Sequence, residues 1–198
     1  MMSSANNLRR ALAGMIARTR ECEEELNALD ADLGDGDLGS TLTAVASAVE
    51  HALDSLPDDM GAALTGLGKV IGTVSGSSFS SLLMIGLLKA GAALQGKRTV
   101  SAEEGTQTWK VALTAMLAAS GAKLGDKTML DVLAAIAEAP PGANLVDEVN
   151  RTIELYRPKL CRAGRARVAS ERSAGRDDPG MIAMLRFVEG AAGRRALG

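Results

Sequence analysis

LNALDADLGDGDLGS, residues 26–40, ends one helix and opens the next. Upstream of it, Leu8, Leu12, Met15, Ile16, Thr19, Cys22, Leu26 and Leu29 recur at three- and four-residue spacing, which predicts a helix over residues 7–29. In DADLGDGDLG, three glycines alternate with acids and no helix can continue. Ser40 starts a second helix, with Leu42, Val45, Val49, Leu53 and Leu56 on one face, and Pro57 stops it.

The same period runs through the rest of the chain. Residues 60–74 and 79–94 read as a third and fourth helix, divided by Val74-Ser75-Gly76-Ser77-Ser78. A fifth opens on the capping box of Ser101 and Glu104 and ends at Gly121. Asp126 is the expected cap of a sixth, which runs to Glu138 and stops before Pro140-Pro141. A seventh covers residues 145–162 with a kink at Pro158. The eighth takes Asp178 as N-cap and Pro179 at its first position, and carries Met181, Met184, Leu185 and Val188. No run alternates with the period of a strand, so the chain reads as all-α with eight helices in a single domain over residues 1–198.

Composition agrees. Hydrophobic residues make up 46% of 198 but aromatics only 2%, so small and aliphatic side chains must build a core of closely packed helices. Cys22 and Cys161 show no metal-like spacing, which fits a reducing cytoplasm. The N-terminal MMSSANNLRR leads into an amphipathic pattern rather than a signal peptide. Residues 70–88 lack charge, but nine of those 19 are Gly, Ser or Thr, and they read as a broken buried helix pair, not a membrane span. Net charge is only −2, yet residues 21–37 hold eight acids and no base, and residues 157–176 hold seven Lys or Arg against Glu171. No aromatic is interleaved with the arginines, and no DNA- or RNA-binding motif occurs, so nucleic acid is not the expected partner.

Asp30, Asp35 and Asp37 crowd the first turn. Three carboxylates this close repel one another, and a bound divalent cation removes that penalty. Hard oxygen donors without His or Cys select magnesium, manganese or calcium. An EF-hand is excluded, because the twelfth position from Asp30 is Thr41 where a bidentate Glu is needed. Gly39, Ser40 and Thr41 form the first turn of the following helix, whose N–H groups and dipole favour an anion. Gly125-Asp126-Lys127-Thr128-Met129 opens the sixth helix in the same manner. His51, the single histidine, falls mid-helix and reads as a surface residue. P-loop, dinucleotide-fold and nucleophile-elbow signatures are all missing.

The segments LNALDADLGDGDLGS (26–40), GDKTMLDVL (125–133), GRA (164–166) and ERSAGRDDPG (171–180) resemble, in the same order, the L subunit or nucleotide-binding domain of the dihydroxyacetone kinase family. The resemblance spans nearly the whole chain. It implies an eight-helix antiparallel barrel that binds ADP or ATP at one mouth through two Mg2+ ions on Asp30, Asp35 and Asp37. It further implies that Leu38, Gly39, Ser40 and Thr41, with Ser77 and Ser78, hold phosphate. Gly121 and Met129 would line an adenine pocket, and Arg165 with Asp178, Pro179 and Gly180 would close over the nucleotide. The implied role is delivery of a phosphoryl group to dihydroxyacetone or a related short ketose or sugar held by a separate K-type subunit. No residue in this chain is then catalytic beyond the metal site. A phosphoenolpyruvate-dependent phosphocarrier as donor and a homodimer both remain open, and the alternative reading is a nucleotide-loaded module that contacts a transcription regulator. Two departures stand near the phosphates: Leu38 replaces a common His, and Ser77-Ser78-Phe79 replaces a common Ser-Gly-Pro.

Overall fold

Helical periodicity becomes nine α-helices among the described residues, 3–193, of the computed structural model. They are α1 (Ala5–Glu21), α2 (Glu23–Leu33), α3 (Leu38–Ala52), α4 (Met60–Val74), α5 (Ser78–Ala93), α6 (Ala102–Ser120), α7 (Met129–Glu138), α8 (Leu145–Tyr156) and α9 (Pro179–Ala191). Residues 1–2 and 194–198, the ends of the expected domain, lie outside the described residues. Two short strands, β1 (Ser3–Ser4) and β2 (Thr99–Val100), pair antiparallel and tie the start of α1 to the turn before α6. A run of 3-10 turns, Arg165–Ser173, lies between α8 and α9.

Several boundaries follow local chemistry. Ser101 and Glu104 form the expected capping box, and Gly121 ends α6 in the left-handed conformation at φ 67°. Asp178 caps α9 by accepting the Met181 N–H at 2.9 Å, with Pro179 in the first turn.

Other boundaries need correction. The helix expected over residues 7–29 breaks at Cys22, whose N–H is shared between the carbonyls of Arg18 and Thr19 at 3.2 Å each. No Gly or Pro marks that break; the chain turns there so that α2 can pack on α3 and α9. The cap of α7 is Thr128, not Asp126. Gly125 and Lys127 both have positive φ, so no helix can start before 128, and the Asp126 carboxylate instead accepts the Lys123 N–H at 2.8 Å. Finally, α8 stops at Tyr156 rather than kinking on to 162, because Pro158 has no N–H to donate and its ring would clash with the preceding turn.

Neighbouring helices close into a ring. α1 packs on α3, α3 on α4, α4 on α5, α5 on α6, α6 on α7, α7 on α9, and α9 back on α1. α2 leans on α3 and α9, and α8 packs against α7 and α9. Glycines set the closest crossings: a Cβ on Gly14 of α1 would lie 2.1 Å from the Gly190 carbonyl oxygen of α9. Two apolar clusters fill the interior. One gathers Leu26, Leu42, Met116, Leu130, Val149 and Met181, and the other Ile16, Val45, Val49, Ala63, Leu67 and Ile71. Each of the Leu, Ile, Val and Met side chains among them contributes roughly 1.5–3 kcal/mol on burial.

Candidate metal and anion site

The turn between α2 and α3 is built around one carboxylate. Asp30, buried near the end of α2, accepts the N–H groups of Gly36 at 2.9 Å and Asp37 at 3.0 Å through the same oxygen. Gly34 makes this possible, since a Cβ there would sit 2.4 Å from the other Asp30 oxygen. Gly36 turns the chain at φ 80°. The result brings Asp30, Asp35 and Asp37 together, with one carboxylate oxygen from each inside 4.8 Å of the others. Asp37 precedes α3 without using its side chain as a cap, which leaves that carboxylate to the cluster. The donor set is all carboxylate oxygen, compact and partly exposed, and it fits a hard divalent cation such as magnesium.

A cavity of about 470 Å³ opens beside the three aspartates. Four helices begin on it. Its lining includes Leu38 and Thr41 of α3, Ser77, Ser78 and Phe79 at α5, Thr128 and Met129 at α7, and Asp178, Pro179 and Gly180 at α9. Asp30 from the end of α2 and Ser120 from the end of α6 line it too, so α2 runs opposite to α3, and α6 opposite to its neighbours α5 and α7. Three of the four starts have one N–H taken by a side-chain cap, at Ser77, Thr128 and Asp178, yet each keeps the partial positive charge of a helix N-terminus, and four of them around one space favour an anion. Leu82 and Ile85 extend the same face of α5 and make the deeper wall apolar.

The acidic and basic segments meet here. Arg165 pairs with Asp35, and Arg176 pairs with Asp32 at 2.7 Å, so Asp32 faces away from the trio toward the basic loop. Ala163, Gly164 and Ala166 join Arg165 in the lining. Asp178 is buried, and that burial pushes its pKa up to about 7.

Twelve of the residues singled out from the sequence thus line one cavity: Asp30, Asp35, Asp37, Leu38, Thr41, Ser77, Ser78, Met129, Arg165, Asp178, Pro179 and Gly180. Three do not. Gly39 packs on α2, where a Cβ would lie 2.1 Å from the Glu23 carbonyl oxygen. Ser40 is held by Asn27, which accepts its N–H at 3.1 Å and donates to its hydroxyl at 2.9 Å. Gly121 ends α6 just outside the lining, between Ser120 and Ala122, which belong to it. Thr128, named from the sequence only as part of the segment that opens this helix, also lines the cavity; sequence reading missed Leu130, although it follows Met129, and Leu82 and Ile85, whose spacing from Ser78 marks one helix face. His51 is exposed on α3 and lies outside the lining. Cys22 and Cys161 are both free and buried.

The DAK2 domain matches residues 32–193 of the chain. The chain belongs to the DAK2 domain family. The DAK2 chain is 37% identical over 135 residues to the dihydroxyacetone kinase of Citrobacter freundii, covering 66% of this chain and 23% of that protein. It is 32% identical over 184 residues to the triokinase/FMN cyclase of Mus musculus, covering 81% of this chain and 30% of that protein. With the PEP-dependent dihydroxyacetone kinase ADP-binding subunit DhaL of Escherichia coli (strain K12) it shares 27% identity over 179 residues, covering 82% of this chain and 83% of the subunit. Among solved structures, the dihydroxyacetone kinase from C. freundii in complex with AMP-PNP and Mg2+ superposes with a TM-score of 0.75 at 26% identity. That match covers 98% of this chain and 34% of the other. The DAK2 chain therefore spans less than a third of the length of the C. freundii and mouse relatives, at 23% and 30%, and most of the E. coli subunit. No described helix is long and apolar enough to cross a membrane.

Proposed function

We propose that this DAK2 chain binds magnesium-complexed ADP or ATP in the cavity and serves as the nucleotide subunit of a kinase for dihydroxyacetone or a related short ketose or sugar. The observation that carries the reading is the juxtaposition of three clustered carboxylates with four helix N-termini around one space. A lone anion would be repelled by the aspartates, and a lone cation would gain nothing from the helix dipoles. A cation-bound polyphosphate satisfies both. Asp30, Asp35 and Asp37 would hold two Mg2+ ions, and bound magnesium would supply charge neutralisation along the phosphates. The first turns of α3 and α5 orient the phosphate tail, and Met129, Leu82 and Ile85 offer an apolar wall for the base. Arg165 stands at the mouth with its positive charge beside Asp35. Phosphoryl transfer depends on alignment and charge neutralisation more than on a side-chain nucleophile. The acceptor would accordingly be held by a separate K-type subunit, with ATP or a phosphoenolpyruvate-dependent phosphocarrier as the ultimate donor, in the cytoplasm. The kinase names of the relatives favour this role over a purely regulatory one.

Calorimetry with Mg-ADP tests the reading. Asp35→Ala and Asp37→Ala should each abolish Mg-ADP binding while helicity stays unchanged, and wild-type affinity in either variant would end the assignment. The chain alone should show no sugar phosphorylation, and activity should emerge only on adding a K-type subunit.

A further inference from the structure

Lys127 is the largest of the fully buried side chains described, only 1% exposed, and it holds a left-handed backbone at φ 62° without being glycine. Its ammonium donates three hydrogen bonds, to the carbonyls of Arg157 at 3.0 Å, Lys159 at 2.8 Å and Ser173 at 2.7 Å. Three donors meet three acceptors, so the group is saturated. Burial lowers its pKa, while the nearby carboxylates of Asp178 and Asp177 act to keep the proton.

The acceptors are what matters. Arg157 and Lys159 begin the irregular segment after α8, and Ser173 ends its 3-10 run. Between those ends lie Gly164, Arg165 and Ala166, which stand at the cavity, and just beyond lies the Asp178–Gly180 turn. Weaker ties run the same way: the Arg162 N–H donates to the Asp126 carbonyl at 2.9 Å, the Cys161 N–H to the Ser173 hydroxyl at 2.8 Å, and the Gly175 N–H to the Arg157 carbonyl at 2.9 Å. The Ser170 hydroxyl donates to the Cys161 carbonyl at 2.8 Å, Arg157 pairs with Asp177, and Cys161 and Ala166 pack on Leu33, but among the described residues only Lys127 joins both ends of the segment through one group.

We propose that Lys127 is a positioning residue, a buried ammonium that fastens both ends of the 157–173 segment and so sets Arg165 and the 178–180 turn against the cavity. It touches no lining space itself and acts through Arg165. The nucleotide part of this inference rests on the function proposed above; the fastening does not.

The test compares the wild-type chain with Lys127→Met, which keeps the apolar stem and removes all three donors. Hydrogen exchange, read without nucleotide, should show the amides of Cys161, Arg162 and Gly175 exchanging about tenfold faster or more, with α4 amides unchanged. The Kd for Mg-ADP should rise by about tenfold or more, and the loss should not add to that of Arg165→Ala in the double variant. Unchanged exchange at the three amides, or full additivity with Arg165→Ala, overturns the proposal. Lys127→Gln, which retains two donors, serves if the Met variant does not fold and should give an intermediate loss. If neither variant folds, Lys127 supports the whole fold rather than this wall, and the proposal also falls. A wild-type chain that fails to bind Mg-ADP would sink the nucleotide reading, and the exchange comparison would still decide the fastening.

Discussion

Asp178 does two jobs with one carboxylate. It caps α9 through the Met181 N–H and closes one side of the cavity from a buried position. Burial raises its pKa from 3.8 to about 7; Lys127 pulls the other way and Asp131 adds to the rise. A carboxyl whose folded pKa is raised contributes stability that is complete below the unfolded value and is lost as pH rises through the folded one. The window therefore runs from about pH 4 to about pH 7. The urea midpoint of the wild-type chain should fall between about pH 4 and about pH 7, and Asp178→Asn, which can still cap the helix, should flatten that fall. An equal slope in both proteins would show that Asp178 ionises normally. At this scale the aspartate trio was readable from sequence, because its members lie within one turn. Lys127 was not, because its three partners are 30, 32 and 46 positions away.

Among the elements, the crossing of α1 and α9 is the most constrained. Gly14→Ala should gain helix propensity of up to about 1 kcal/mol, yet its methyl would meet the Gly190 carbonyl oxygen at 2.1 Å. That oxygen belongs to a helix backbone and cannot rotate away, so overpacking by about 1–3 kcal/mol should outweigh the gain. Gly66→Ala in α4 is the matched control, since nothing lies within 4 Å of its added Cβ. Its urea midpoint should rise while that of Gly14→Ala falls. A rise in both would mean that the two helices can separate freely. The ion pairs of Arg186 with Glu25 and Glu189, and of Arg18 with Glu189, stitch α9 to α1 and α2 beside this crossing. Helix identity was readable from the apolar period throughout. The break at Cys22 was not, because the heptad-like pattern runs through it and only packing against α3 and α9 requires the turn.

For the whole molecule, one cavity drawing walls from α2, α3, α5, α6, α7 and α9 couples ligand binding to global stability. A ligand at 100 times its Kd stabilises the fold by about 2.7 kcal/mol, and a chain of this size shifts Tm by roughly 2–4 °C per kcal/mol. Saturating Mg-ADP should therefore raise Tm by about 5–10 °C in a single transition, and EDTA should remove most of the rise. An EDTA-insensitive shift would separate nucleotide binding from the aspartate trio.

Read by itself, the chain determined its helices, the acidic turn between α2 and α3, the capping box of α6 and the Asp-Pro start of α9. Each of these depends on residues within a turn or two of one another, where periodicity and capping chemistry operate. The tertiary structure alone decided that four helix starts share one space with the trio, that Gly39 and Ser40 turn toward α2, that Thr128 rather than Asp126 caps α7, and that a buried lysine ties down the basic segment. Those outcomes depend on side chains far apart in sequence competing for the same volume and the same hydrogen bonds, and no local pattern carries that information.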